Sequence, residues 1–360
     1  MEMAIRAAAD PCMPERSTLQ ANQATNRAHA VRIAAVPVPT LAADMHPGRV
    51  QSLRFDDMDV MAKSMISGHI DFVPLCLVPF QGQLCQIDLS GFALKRLIHT
   101  PLLIHGTVSP DKVALSLLVR PDGCLTLNGE ELGASTLAVI SGGAAIQAIC
   151  PVEQDRISLV FRALDFDRLI DSCGAQMVPR GQHQMLHLRQ DHASTLARTF
   201  AAMTGLGERL PDLFAMPCLR NALTEECLRL LAGAMSCEKN RAARPRQTRD
   251  MLRQVRAADE FLHVNITRPV YTEELCTTLQ VSPRTLHQSF ATVYGMSPCA
   301  YLKRRRLALV HRALQSAPRH QVLVKSIVLA HGFWHLGRFA HEYAAMFGEM
   351  PSVTLGRGRN

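Results

Sequence analysis

A chain of 360 residues with a formal net charge of +8 is long enough for two domains, or two and a tail. The charge is uneven: residues 240–360 carry 18 Lys or Arg against 7 Asp or Glu, which leaves the remainder net acidic. A basic C-terminal third is the electrostatic footprint of a nucleic-acid-binding domain, and the absence of any apolar run long enough to span a bilayer argues against a membrane protein.

The first 49 residues are rich in Ala, with scattered Arg and several Pro. They lack the continuous apolar core of a secretory signal, and the segment is expected to be a disordered tail. Residues 50–178 read as a β domain. Short apolar or alternating runs at 83–89, 92–97, 113–119, 124–127, 136–140 and 157–161 are separated by Pro121-Asp122-Gly123, Asn128-Gly129 and Gly142-Gly143. The stretch 124–132 is a candidate hairpin. Many short strands with regular turns predict a sandwich or small barrel of the jelly-roll or cupin type.

Such a barrel would need a His-x-His pair, a nearby carboxylate and a later His to act as a metal enzyme. His99 and His105 lack that spacing. Gly-x-Ser-x-Gly, His-Glu-x-x-His and a phosphate-binding Gly loop are also missing. Eleven cysteines include no Cys-x-x-Cys pair, so reduced thiols in a cytoplasmic protein are expected rather than a metal or disulfide framework. The reading is therefore no catalytic residues, no metal, no cofactor, and a pocket that binds rather than reacts.

Helices are expected at 165–172, 191–203 and 216–235, the last with an apolar stripe of Leu223, Cys227, Leu230 and Leu231. Residues 179–236 either cover the sheet or form a homodimer surface. The polar, Arg-rich stretch 237–250 reads as a linker.

The strongest signal lies in residues 251–357, where a motif occurs twice. A shift of 53 positions carries Leu286 to Phe339, Phe290 to Tyr343, Tyr294 to Phe347, Gly295 to Gly348 and Pro298 to Pro351. Residues four apart share one helix face, Gly supplies a left-handed stop, and Pro prevents simple continuation. A short helix precedes each copy, which predicts two helix-turn-helix units.

In the first unit Thr272 is the expected N-cap, with Glu273 and Glu274 at the positive end of the helix dipole. Ser282 caps the second helix and Pro283 takes its first position. Leu286, Phe290 and Val293 or Tyr294 face inward, leaving Ser282, Arg284, Thr285, His287 and Gln288 as candidate DNA contacts. Arg and Gln can each make two hydrogen bonds to a base edge. In the second unit Val324, Ile327 and Val328 form the apolar face of the first helix. The second helix is expected at about 335–346, with His335, Arg338, His341 and Glu342 outward. His335 is a weak cap there. The run Lys303-Arg304-Arg305-Arg306 is either a solvated helix face or a set of phosphate contacts.

These stretches resemble the DNA-binding domain of the AraC/XylS family of bacterial transcriptional regulators. The carrying residues are Ser282-Pro283-Arg284-Thr285-Leu286-His287-Gln288-Ser289-Phe290, Gly295-Met296-Ser297-Pro298, the run from Ala330 to Phe339, and Phe347-Gly348-Glu349-Met350-Pro351-Ser352. The chain departs from most members at Trp334, Leu336 and Gly337, in a pattern similar to the XylS-like and ethanolamine-regulator-like branches. The resemblance implies an α+β chain with a cupin-like effector domain ahead of a double helix-turn-helix domain. It implies a scaffold helix at about 298–314 joining the two units. It further implies base-reading roles for Arg284, His287, Gln288, Arg338 and His341. The implied partners are double-stranded promoter DNA, RNA polymerase, a small-molecule effector and a second copy of the chain. The other readings are an architectural DNA-binding protein without an effector, and a cupin enzyme fused to a DNA-binding domain.

Overall fold

The computed structural model describes residues 46–65, 68–120, 125–174, 178–236, 246–265, 270–318 and 322–357. The expected tail up to residue 45, the turn 121–123 with Cys124, and linker residues 237–245 lie outside the described residues.

Twelve antiparallel strands among the described residues form two sheets. The first has seven strands in the order β1 (Val50–Phe55), β3 (Gly82–Asp88), β4 (Phe92–His99), β11 (Gln154–Arg162), β6 (Lys112–Leu118), β9 (Thr136–Ile140) and β12 (His183–His187). The second has five, in the order β2 (Gly68–Pro74), β5 (Leu102–Val108), β10 (Ala145–Cys150), β7 (Leu125–Leu127) and β8 (Glu130–Leu132). Among the described residues, both sheets end in edge strands that pair on one side only. The arrangement is therefore the open sandwich of the two expected forms, and not a closed barrel.

Alternation along the strands sorts side chains between two cores. From β4, Phe92 and Leu94 join a cluster with Ile87, Leu159 and Phe161 on the outer face of the larger sheet. Leu97 points the other way, into the space between the sheets, with Phe72, Ile104 and Leu127. Burying each such side chain contributes roughly 1.5–3 kcal/mol. The predicted turn at Asn128-Gly129 is a two-residue hairpin between β7 and β8. Both residues have positive φ, 49° and 75°, as a type I′ turn requires.

Three helices cover the outer face of the larger sheet: α2 (Ala163–Cys173), α3 (Gln190–Arg209) and α5 (Pro217–Ser236). A short α1 (Met58–Lys63) follows β1, and a single turn, α4 (Asp212–Ala215), precedes α5. Cys227 and Leu231 of the predicted α5 stripe are fully buried in this core, and Leu223 and Leu230 pack against it. Those residues cover the sheet. Strand β12 lies in a segment expected to be helical. Its His-Gln-Met-Leu-His sequence has no β-branched residue to announce a strand, and pairing with β9 along Thr136–Ile140 supplies the missing constraint.

The C-terminal part is all helical: α6 (Arg246–Val264), α7 (Thr272–Leu279), α8 (Pro283–Tyr294), α9 (Pro298–Ser316), α10 (Val324–Ala330), α11 (Leu336–Phe347) and α12 (Pro351–Arg357). Val73, Leu103 and Ile149 on the outer face of the smaller sheet share a cluster with Val255, Ala258, Leu286, Phe290 and Tyr301. The first helix-turn-helix unit thus completes its core on the sandwich. The second unit has its own core of Leu307, Val310, Leu314, Val328, Phe339, Tyr343 and Met346. No helix among the described residues is long and apolar enough to cross a membrane.

Candidate nucleic-acid interface

Helix α8 is built as the spacing predicts. Ser282 has an extended backbone, and its Oγ accepts the Thr285 N–H at 3.0 Å, while Pro283 occupies the first turn. Gly295 ends the helix at φ 66°. Leu286, Ser289, Phe290, Val293 and Tyr294 are buried, whereas Ser282, Arg284, Thr285, His287 and Gln288 are exposed along the opposite face. The preceding turn runs through Gln280, whose φ of 54° is left-handed. Thr272 is not the cap of α7. Tyr271 stands in that position without a side-chain bond, and Thr272 Oγ1 lies 3.7 Å from Cys299 Sγ. Glu273 and Glu274 in the first turn supply the favourable charge instead.

Helix α11 repeats the design with a weaker start. His335 precedes it with no side-chain cap, and Gly348 closes it at φ 72°. Phe339 and Tyr343 are buried, and His335, Arg338 and His341 are exposed. Glu342 differs from the expected outward position. It is half-buried and accepts from Lys303 Nζ at 2.8 Å and Arg338 Nε at 3.0 Å. Against the cost of desolvation, these two cations hold the Glu342 carboxyl below its ordinary range. Glu342 therefore ties α11 to α9 and orients Arg338. The Arg338–Glu342 spacing of four is legible in the sequence, but the bridge from Lys303 is not. Trp334 and Leu336, just before and at the start of α11, are exposed.

The basic run on α9 divides by helix geometry. Lys303 and Arg304 are half-buried, the latter with Nη1 3.4 Å from Met296 Sδ, and Arg306 packs against Gly332. Arg305 corrects the phosphate-contact expectation, because its side chain is only 8% exposed and pairs with Asp259 of α6. Its Nη1 also donates to Tyr301 Oη at 2.9 Å. Despite burial, Tyr301 and Asp259 keep Arg305 more firmly protonated than usual. Position 305 falls on the inward stripe with Tyr301 and Leu302, which is why it cannot share the solvent face. His99, set aside as a ligand in sequence, is buried with Nδ1 2.9 Å from the Thr100 carbonyl, and burial pushes its pKa down to about 3. Among the described residues, no group of three His, Cys, Asp or Glu could hold a metal ion.

Residues 275–357 match a helix-turn-helix domain family. The XylDLEGF operon transcriptional activator 2 of Pseudomonas putida is 35% identical over 96 residues, which are 27% of this chain and 61% of the relative. A probable AraC family transcriptional regulator from Rhodopseudomonas palustris, known from its crystal structure, is 37% identical over 30% of this chain and 99% of its own, with a TM-score of 0.28.

The chain belongs to the AraC/XylS family.

A probable thc operon regulatory protein of Rhodococcus erythropolis extends the similarity, at 30% identity over 42% of this chain and 46% of that one. This AraC/XylS-family chain thus spans less than two thirds of the length of these two operon regulators. Its match to the domain family takes in both α8 and α11.

Proposed function

We propose that this chain is a sequence-specific DNA-binding transcriptional regulator, an activator controlled by a small molecule bound in its N-terminal sandwich. The observation that carries the reading is α8. Its Leu286, Ser289 and Phe290 anchor it in the core, while Arg284, Thr285, His287 and Gln288 stand exposed on one face. This is the arrangement that a helix entering the major groove needs, with side chains able to read base edges. Arg338 and His341 on α11, with His335 just before it, offer a second exposed surface, and Lys303, Arg304 and Arg306 are the remaining candidates for phosphate contact. Phosphate contacts set affinity and salt dependence, and base contacts set the choice of site.

Promoter DNA, RNA polymerase and a second copy of the chain are the macromolecular partners in this reading, in the cytoplasm. Paired half-sites would multiply affinity and specificity. The effector acts by binding one arrangement of sandwich and helices better than another. The interlocked core between the smaller sheet and the first helix-turn-helix unit supports such coupling, since a shift in either part must be accommodated by the other.

The test is selection of bound duplexes from a random pool by the full chain, repeated with the Arg284→Ala, His287→Ala double variant. A sharp consensus is expected. The double variant should lose roughly a hundredfold in affinity on it, since each good base contact is worth about 1–3 kcal/mol. Affinity for unrelated DNA should change little. Equal affinity for selected and unrelated DNA in the unaltered chain would overturn sequence-specific binding in favour of an architectural role.

A further inference from the structure

The space between the two sheets is lined by apolar side chains, including Phe72, Ile104, Leu125 and Ile140, and also by two cations, Lys95 and Arg156. Lys95 is 2% exposed and Arg156 9%. Lys95, Ser116 and Arg156 all line this cavity, and Lys95 Nζ, Ser116 Oγ and Arg156 Nε are each buried without a hydrogen-bond partner among the described residues.

Strand register explains their convergence. Lys95 of β4 pairs with Ser158 of β11, and Ser158 pairs with Ser116 of β6, so the three form one row across the larger sheet. Arg156 stands two residues from Ser158 on the same face. The acid whose charge favours the Lys95 ammonium is Asp88, while Lys112 opposes it. Asp88 is engaged elsewhere: its carboxylate accepts from Gln86 Nε2 at 2.7 Å and from the His46 N–H at 3.3 Å.

A buried polar atom normally finds a partner, and a buried charge normally finds a counter-charge. A water molecule could complete the hydrogen bonds, but it would bring no counter-charge to the two cations.

We infer that the sandwich binds an organic acid, its carboxylate held between Lys95 and Arg156 with Ser116 and Ser158 as neutral donors, and its apolar body against Phe72 and Ile104. Arginine suits a carboxylate through its fork of donors, and lysine adds a compact charge. The cavity is about 60 Å³, room for a head group and a few carbons. A longer body must displace Met65, a flexible side chain at the cavity wall. This inference rests on the effector-controlled reading above and names the chemical class of its ligand.

The experiment is calorimetric titration of the full chain with benzoate, hexanoate and octanoate, each beside its matching alcohol and with inorganic phosphate as the head-group control. At least one acid should bind ten times more tightly than its alcohol, and Lys95→Met should remove that preference while leaving the alcohol's affinity unchanged.

A second readout needs no ligand. Burial, reinforced by Lys112, pushes the Lys95 pKa down from 10.5 to about 8. Between these values the unfolded chain holds the proton and the folded chain does not, so stability rises with pH across the window. The unliganded wild type should therefore gain on Lys95→Met as pH rises from 8 to 10.5, and a bound acid should flatten the gain.

Acids and alcohols binding alike, no acid binding, or no difference between wild type and variant across that window would overturn the inference. If the same samples still bind a selected DNA site, only the ligand assignment falls. If an acid binds through Lys95 and no DNA site is selected, the regulator reading falls instead.

Discussion

Ser282 carries more than its exposed position suggests. Its hydroxyl satisfies the Thr285 N–H at the start of α8 and lies 2.8 Å from the Thr285 hydroxyl, so it fixes where that helix begins. Replacing a Ser cap by Ala costs about 1 kcal/mol. Ser282→Ala is expected to lower stability by that amount in denaturant unfolding, and to weaken binding to the selected DNA through fraying of the turn that carries Arg284. Unchanged stability would mean that Pro283 alone sets the start. These residues were legible because capping is local: the partner of Ser282 is three positions away. Arg305 was not legible in the same way. Nothing in Lys-Arg-Arg-Arg says which member turns inward until the rest of α9 is packed.

At the scale of elements, α9 is held to the first unit and to the sandwich by a buried polar seam as well as by apolar packing. Asp259 of α6 accepts from both Tyr301 and Arg305, and its other oxygen lies 3.5 Å from His105 Nδ1 on β5. Tyr294 and Tyr301 stack with centroids 4.7 Å apart, and Gln147 of β10 donates to the Tyr294 hydroxyl. Burial pushes both tyrosine hydroxyls up, so they remain protonated and able to donate. Removing one member of a buried pair leaves the other charge uncompensated, at a cost of about 3–5 kcal/mol. Arg305→Ala is expected to destabilise the chain by that amount in denaturant unfolding, far beyond the loss of one solvated phosphate contact. A change below about 1 kcal/mol, as for a surface charge, would contradict the burial of this pair. The apolar stripes of α8, α9 and α11 were readable from their period. The acid that answers Arg305 lies 46 residues away, and no local pattern marks it.

In the whole molecule, the sandwich is held to the helical part at several points. Arg312 near the end of α9 bonds Asp59 Oδ1 at 2.8 Å and also pairs with Asp71. Gln315 donates to Asp57, the residue that caps α1. Despite burial, His311 and Gln315 hold the Asp57 pKa down at about 2. From His311 a hydrogen-bonded chain continues through Tyr343 at 2.7 Å and Thr354 at 2.8 Å to Glu349. The second helix-turn-helix core is thus connected to the sandwich through side-chain bonds. Arg312→Ala leaves Asp59 and Asp71 facing each other without their cation. It is expected to speed amide exchange in α1 and at the end of α9 relative to the sandwich core, measured by hydrogen–deuterium exchange. Exchange unchanged in both places would show that the apolar contacts alone hold the parts together.

The sequence by itself determined the two helix-turn-helix units, the helices that carry them, the basic third of the chain and the β character of the middle. All of these depend on spacing within a few turns or strands, where helix period, caps and turn residues act through neighbours. Tertiary structure decided what depends on distant partners. It joined β1, β2, β5, β10 and β12 to their sheets, left both sheets open at their edges, and turned the apolar stripe of α5 onto the larger sheet. It also took Arg305 out of solvent and gathered Lys95, Ser116 and Arg156 around one cavity. Strand register has no local signature, because the energy that sets it comes from hydrogen bonds and packing between segments far apart in the chain.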